Sequence, residues 1–227
     1  MDTNSNQARR VVIGITAHVD AGKTTLAEAM LYRTGRLRKL GRVDHGSAAM
    51  DSHLLERERG ITIFSSQAEL PIGDLEVTLL DTPGHVDFSA EMERTLSVLD
   101  YAILVISGAD GVQAHTRTLW RLLELYRIPT FLFVTKMDFG RCGRGQMMEH
   151  LRHELGEGCV DFTPADRERR MEQLATCRED ALEAYLDGGE VPDALVRQLV
   201  GRRLVFPCWF GSGLKLEGID EFLEGLA

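Results

Sequence analysis

Apolar positions along the chain alternate between two periods. "VVIGITA" (Val11–Ala17), "YAILVIS" (Tyr101–Ser107) and "IPTFLFVTK" (Ile128–Lys136) are continuous β-branched or aromatic runs that read as strands buried on both faces. Between them the period changes to that of a helix. Lys23 to about Arg33 carries Leu26, Ala27, Met30 and Leu31 on one side, and "TRTLWRLLELYR" repeats the pattern. "ITIFSSQAEL" and "LEVTLLD" flank "PIGD", which predicts a hairpin. A helix is expected over about His85–Leu99. "RLVFPCWFG" and "GIDEFLEGL" supply a last strand and a last helix. Strands buried on both faces and separated by helices predict an α/β fold with a doubly wound, mostly parallel sheet.

Two stretches interrupt this pattern. Residues 34–60 form a polar, glycine-containing run with no period, long enough for a functional loop. Residues 156–203 are charged, with helical stretches at "REDALEAYL" and "PDALVRQLV" and no strand signal. They predict a helical insertion before the last strand, so that residues 11–155 and 204–227 make the main domain and residues 1–10 a disordered tail.

The strand ends carry the candidate chemistry. "AHVDAGKTT" joins the first strand to the first helix. In that context Gly22, Lys23 and Thr24 form a P-loop: backbone N–H groups at a helix start aim at phosphate, Lys23 adds charge, and Thr24 offers Mg²⁺ a hard oxygen. Ala17 stands where the motif usually begins with Gly. Asp81-Thr82-Pro83-Gly84 ends an apolar strand, placing a carboxylate where Mg²⁺ is held through water and Gly84 where a backbone N–H can approach a γ-phosphate. Thr135-Lys136-Met137-Asp138 ends another. The Asp138 carboxylate can accept from N1–H and the amino group of guanine, a donor pair adenine lacks, and Lys136 would lie along the base. Gly211-Ser212-Gly213 follows the last strand. This ordered set at one sheet edge points to GTP as the nucleotide.

Composition narrows the picture. The 227 residues are 44% hydrophobic with a net charge of −9, which argues against a broad basic nucleic-acid surface. No apolar run reaches the ~18–20 residues of a membrane span. The tail has no signal-peptide pattern. Cys142, Cys159, Cys177 and Cys208 are irregularly spaced and read as reduced thiols of a cytoplasmic protein.

"AHVDAGKTT", "ERERGITI", "DTPGHVDF" and "DGVQ" resemble the translational GTPases over about residues 11–227. Ala21 and the insertion after Asp138 resemble the elongation factor G branch. "LGRVDHG", "LLERERGITI", "LSVLDYAILVIS", "DGVQAHTR" and "EAYLDGGE" look most like its tetracycline-resistance ribosomal protection proteins. The resemblance implies a P-loop NTPase fold, GTP/GDP and Mg²⁺ as ligands, the ribosome as partner, and further domains, so the chain is expected to be a monomeric domain of a longer protein. Thr24 and Thr62 would ligate Mg²⁺, with Asp81 acting through water. Asp20, Ala21, Gly22, Lys23, Thr24, Thr25 and Gly84 would surround the phosphates; Thr135, Lys136, Asp138, Ser212 and Gly213 the base.

His85 would position the attacking water with Lys23 and Thr62 on the phosphates, behind gate residues Val19 and Ile61, which implies very low hydrolysis away from the ribosome. His18, His45, His53 and His115 read as surface or packing residues. Two positions depart from the family: Thr135 replaces an Asn that ties the base loop to the P-loop, implying weaker anchoring, and Gly213 replaces an Ala, implying a more flexible loop. Asp20, a carboxylate beside phosphate, needs a cation or solvent; a bound K⁺ or Na⁺ and a solvent-facing side chain are the two readings. An elongation factor G-like ribosomal role and a GTP-binding recruitment module are the other function classes.

Overall fold

The computed structural model describes residues 9–38, 66–82, 94–139, 142–163 and 167–227. Seven strands form one sheet: β1 (Arg9–Ala17), β2 (Ser66–Ile72), β3 (Leu75–Asp81), β4 (Tyr101–Ser107), β5 (Thr130–Thr135), β6 (Cys159–Asp161) and β7 (Phe206–Phe210). Their order is β2-β3-β1-β4-β5-β7-β6, and only β2 runs antiparallel to its neighbour. The helices are α1 (Lys23–Arg33), α2 (Ala114–Leu125), α3 (Arg144–Leu155), α4 (Arg167–Cys177), α5 (Glu179–Gly188), α6 (Asp193–Gly201) and α7 (Ile219–Leu226).

Alternation along the strands explains their continuous apolar runs. Ile103, Val105 and Phe133 face a core with Leu26 and Met30 of α1 and Phe222 of α7. Ala102, Leu104, Ile106, Leu132 and Val134 face a second core with Leu119 and Leu123 of α2 and Leu151 of α3. Successive strand side chains point to opposite faces, so a strand covered on both sides is apolar at nearly every position. Gly14 leaves room for the Leu99 side chain: a Cβ there would come 2.3 Å from a Leu99 methyl, which would have to turn aside.

The hairpin turn is Gly73-Asp74. Pro71 lies inside β2, opposite Glu76, on the sheet edge where its missing N–H is tolerated. Arg9 and Arg10, expected in the tail, are the first residues of β1, opposite Leu75 and Glu76; residues 1–8 lie outside the described residues. Of the helix expected over His85–Leu99, residues 94–96 are helical and Leu99 lies beyond a turn; the rest is outside the described residues, as is most of the 34–60 run.

The charged stretch holds two unforeseen elements. β6 is a three-residue edge strand pairing with β7 through Cys159 and Phe206, too short to show a period. α4 buries only Met171, Leu174 and Ala175 beneath a very polar exterior. Met171 and Leu174 join Ala181, Val191 and Leu199 in the same core as Phe131 and Trp209 of the sheet. The four cysteines are free thiols.

Candidate functional site

The parallel register brings the C-terminal ends of β1, β3, β4, β5 and β7 to one edge, where the turns following them meet. The first is residues 18–22. Ala21 N–H donates to the His18 carbonyl at 3.1 Å, and Asp20 and Gly22 take left-handed φ values of 61° and 95°. Asp and Gly tolerate that region better than most residues. Gly22 caps α1 without a side chain, and the first turn has no acidic residue. The amide end of α1 is thus left to an anion.

Two bonds tether this turn to the end of β5. Thr135 Oγ1 donates to the Ala21 carbonyl at 2.6 Å, and Lys136 Nζ donates to the Asp20 carbonyl at 2.5 Å. In a planar trans peptide the N–H points opposite to its C=O. Fixing the Ala21 carbonyl on Thr135 therefore turns the Gly22 N–H away from the base loop. Thr135 keeps a tether to the P-loop: its hydroxyl is buried and reaches the carbonyl directly.

Lys23 lies across the floor of the site. Its ammonium bonds Asp81 Oδ1 at 2.5 Å and the Thr82 carbonyl. Both ionic side chains are buried, Lys23 at 9% and Asp81 at 0% side-chain exposure. Thr82 is pinned in turn, its N–H and Oγ1 both donating to the Ile15 carbonyl at 3.1 and 2.8 Å. Thr24 and Asp81 offer hydroxyl and carboxylate oxygens, the hard donors that suit Mg²⁺.

The last loop closes on itself. Ser212 and Glu217 exchange backbone bonds at 2.9 and 3.0 Å. Lys215 Nζ meets Asp138 Oδ2 at 2.8 Å. That hydrogen bond holds the Asp138 carboxyl below its usual range and raises Lys215. Gly213 lies against the start of α1: a Cβ there would come 2.8 Å from the Thr25 carbonyl. Its glycine answers a lack of room rather than a need for flexibility. Beside the P-loop, the half-buried rings of His18 and His115 pack with centroids 5.9 Å apart.

Asp20, Ala21, Gly22, Lys23, Thr24, Thr25, Asp81, Thr135, Lys136, Asp138, Ser212 and Gly213 thus follow from elements that end at one edge. Ile61, Thr62, Gly84, His85, His45 and His53 lie outside the described residues. Sequence reasoning missed Lys215, whose only signal is a cation in the loop after β7. It also missed the Thr82 carbonyl and His150, whose Nε2 accepts the Val112 N–H at 3.1 Å and steadies the turn after β4.

Residues 8–227 match the elongation factor Tu GTP binding domain family. The chain is 41% identical to an oxytetracycline resistance protein of Streptomyces rimosus, over 94% of this chain and 36% of that protein. It is 40% identical to the tetracycline resistance protein TetM of Streptomyces lividans, over 96% of this chain and 37% of that one. It is 35% identical to the tetracycline resistance protein TetO of Campylobacter jejuni, over 95% and 36%. A solved crystal structure from Thermus thermophilus superposes with a TM-score of 0.85 at 29% identity, covering 96% of this chain and 40% of that one. The chain spans little more than a third of the curated relatives it matches. Among the described residues no helix is long and apolar enough to cross a membrane.

Proposed function

Because this chain belongs to the elongation factor Tu GTP-binding domain family, we propose that it binds and hydrolyses GTP as the switch domain of a ribosomal protection factor that releases tetracycline from the ribosome. The observation carrying the nucleotide reading is the tether of Thr135 and Lys136 to the P-loop carbonyls, which ties a guanine-reading loop to a phosphate-reading one. Identity of 35–41% to proteins named for tetracycline resistance supports the ribosomal role over an elongation or recruitment role.

On this reading guanine is held by both oxygens of Asp138 along the Lys136 stem, and phosphate by the amide end of α1. Lys23 leaves Asp81 and the Thr82 carbonyl for the β- and γ-phosphates. The exchange replaces one anion with another, so the ammonium is never left unpaired. Thr24, Thr62 and Asp81 would hold Mg²⁺, which when bound neutralises charge on the phosphate oxygens. His85 orients the attacking water and Gly84 senses the γ-phosphate. With Val19 and Ile61 as a gate, hydrolysis is slow until the ribosome is engaged. Asp20 has an exposed carboxylate, which fits the solvent-facing reading in the nucleotide-free chain; a K⁺ or Na⁺ ion beside the phosphates belongs to the closed switch. The factor would act as a monomer in the cytoplasm.

Three measurements test this. GTP and GDP should bind the chain in a Mg²⁺-dependent way and ATP should not; equal ATP affinity would remove the role of Asp138. The full-length gene should let cells grow on tetracycline, with His85→Ala abolishing both growth and ribosome-stimulated turnover. A gene that gives no protection would defeat the ribosomal reading. Turnover indifferent to K⁺, Na⁺ or a bulky organic cation would remove the monovalent ion.

A further inference from the structure

We propose that His150 of α3 is a positioning residue for the guanine contact of Asp138, a role that rests on the GTP reading above. It acts from behind, by bracing the turn after β4 against the loop that carries Asp138.

The brace begins where that turn touches the end of β5. Gly108 N–H donates to the Thr135 carbonyl at 2.7 Å. A Cβ on Gly108 would come 2.4 Å from Met137 Sδ and 2.9 Å from the same carbonyl. The turn therefore lies directly against the residues that lead into Asp138. Its own shape is fixed by short bonds. Ser107 Oγ donates to Asp110 Oδ2 at 2.6 Å, Gly111 N–H to the Ser107 carbonyl at 2.8 Å, and Gln113 Nε2 to the Asp110 carbonyl at 2.6 Å. Gly111 takes a left-handed φ of 68°, which suits glycine.

This pattern leaves one amide over. Val112 is buried and precedes α2, so its N–H has no helical acceptor. His150 Nε2 accepts it at 3.1 Å. An amide at a buried residue is unfavourable without such a partner. The ring is seated closely, since a Cβ on Gly111 would come 2.8 Å from the same nitrogen.

α3 can serve as the post for this contact. Its Met147, Met148 and Leu151 are buried in one core with Leu132 and Val134 of β5. It is also the helix that follows the base loop in the chain. The chain thus leaves Asp138, enters α3, and returns through His150, Val112 and Gly108 to Thr135. The path is closed, and it holds the base loop from the side opposite its P-loop tethers. Asp138 must meet two donors of guanine at once, and a paired contact of this kind tolerates less tilt than a single hydrogen bond. Loosening the brace should therefore weaken the second bond before the first.

Inosine diphosphate keeps the N1–H of guanine and lacks its amino group, so the GDP/IDP affinity ratio reads the aim of Asp138. Calorimetric titration of the whole chain with each nucleotide and Mg²⁺ gives that ratio, and a general loss of stability weakens both affinities alike. His150→Leu should lower the ratio about fivefold, the worth of one ordinary hydrogen bond. His150→Gln, whose Oε1 can accept the Val112 N–H, should restore it. Should His150→Leu misfold, Gly108→Ala presses on the other end of the brace and carries the test with the same expected drop. A folded His150→Leu chain, or in its place Gly108→Ala, that keeps the parent's ratio overturns the brace alone. So does a glutamine variant that lowers the ratio as far as leucine. A parent chain that binds GDP and IDP equally overturns the brace together with the guanine reading.

Discussion

The carboxylate of Asp138 and the ammonium of Lys215 meet at 2.8 Å across 77 positions of sequence, closing the base loop against the loop that follows β7. Lys215 thereby lowers the carboxyl of the proposed guanine-reading group and fixes its direction.

The pH dependence follows in sign. The Asp138 carboxyl is lowered from its ordinary 3.8, first by the Lys215 hydrogen bond. A lowered carboxyl contributes stability above its unfolded value and loses it as pH falls through the lower, folded one. The contribution of Asp138 to GTP affinity, read as the ratio to Asp138→Asn at each pH, should therefore persist from neutral pH down to about 4, the ordinary carboxylate range. Lys215→Met should move the acid limb upward in pH. Asp138→Asn should cost GTP at least ~100-fold at neutral pH, from two charged hydrogen bonds of ~1.5–3 kcal/mol each.

Thr135→Val keeps shape and removes the donor to the Ala21 carbonyl. Leaving that acceptor unpaired should cost about 1–3 kcal/mol in urea unfolding. Thr135→Ser should recover most of it. A valine variant as stable as the parent would show that the tether contributes nothing.

Lys23→Met should abolish nucleotide binding and also destabilise the nucleotide-free chain, because the ammonium is the cation paired with a fully buried Asp81. Removing one member of a buried pair costs ~3–5 kcal/mol. Adding Asp81→Leu should restore part of the stability while binding stays lost. Thermal unfolding without nucleotide separates the two effects.

Gly213→Ala installs the residue its relatives are expected to carry. Its Cβ would press the Thr25 carbonyl at 2.8 Å and the Leu26 nitrogen at 3.1 Å. Backbone atoms yield little, so a cost of ~1–3 kcal/mol and weaker GTP binding are expected.

Burial pushes the Cys177 thiol up to about 11. At pH 8 the thiolate is scarce, so alkylation of Cys177 in the folded chain should be slow. The rate should rise about tenfold per pH unit until it levels near pH 11. Mass spectrometry of iodoacetamide-treated protein reads this directly.

The site was largely legible in sequence because its residues stand at strand ends, and strand ends are marked where a doubly buried run meets Gly, Asp or Lys. Asp81, Asp138 and Lys23 announce themselves in this way. Lys215 did not: its partner is chosen by the closure of a loop, which no local period encodes. β6 escaped because three residues carry no alternation, and α4 because Met171, Leu174 and Ala175 are a thin stripe among charges. Thr135 and Gly213 were legible as departures, but the Thr135 tether and the close fit at Gly213 were not. A hydroxyl's reach and a missing Cβ's clearance are matters of tenths of an ångström.

β5 also acts as a stiff spoke. Its last residue, Thr135, holds the P-loop, and two residues earlier Phe133 packs on Phe222 of α7 with ring centroids 4.9 Å apart. Phe222 packs in turn edge-on against Trp209 at 5.2 Å. A force applied to the phosphate turn therefore reaches α7 through one short, inextensible strand and a run of three packed rings. Occupancy of the nucleotide site and the firmness with which α7 is seated are mechanically one variable, readable as slowed amide exchange in α7 when the nucleotide is bound.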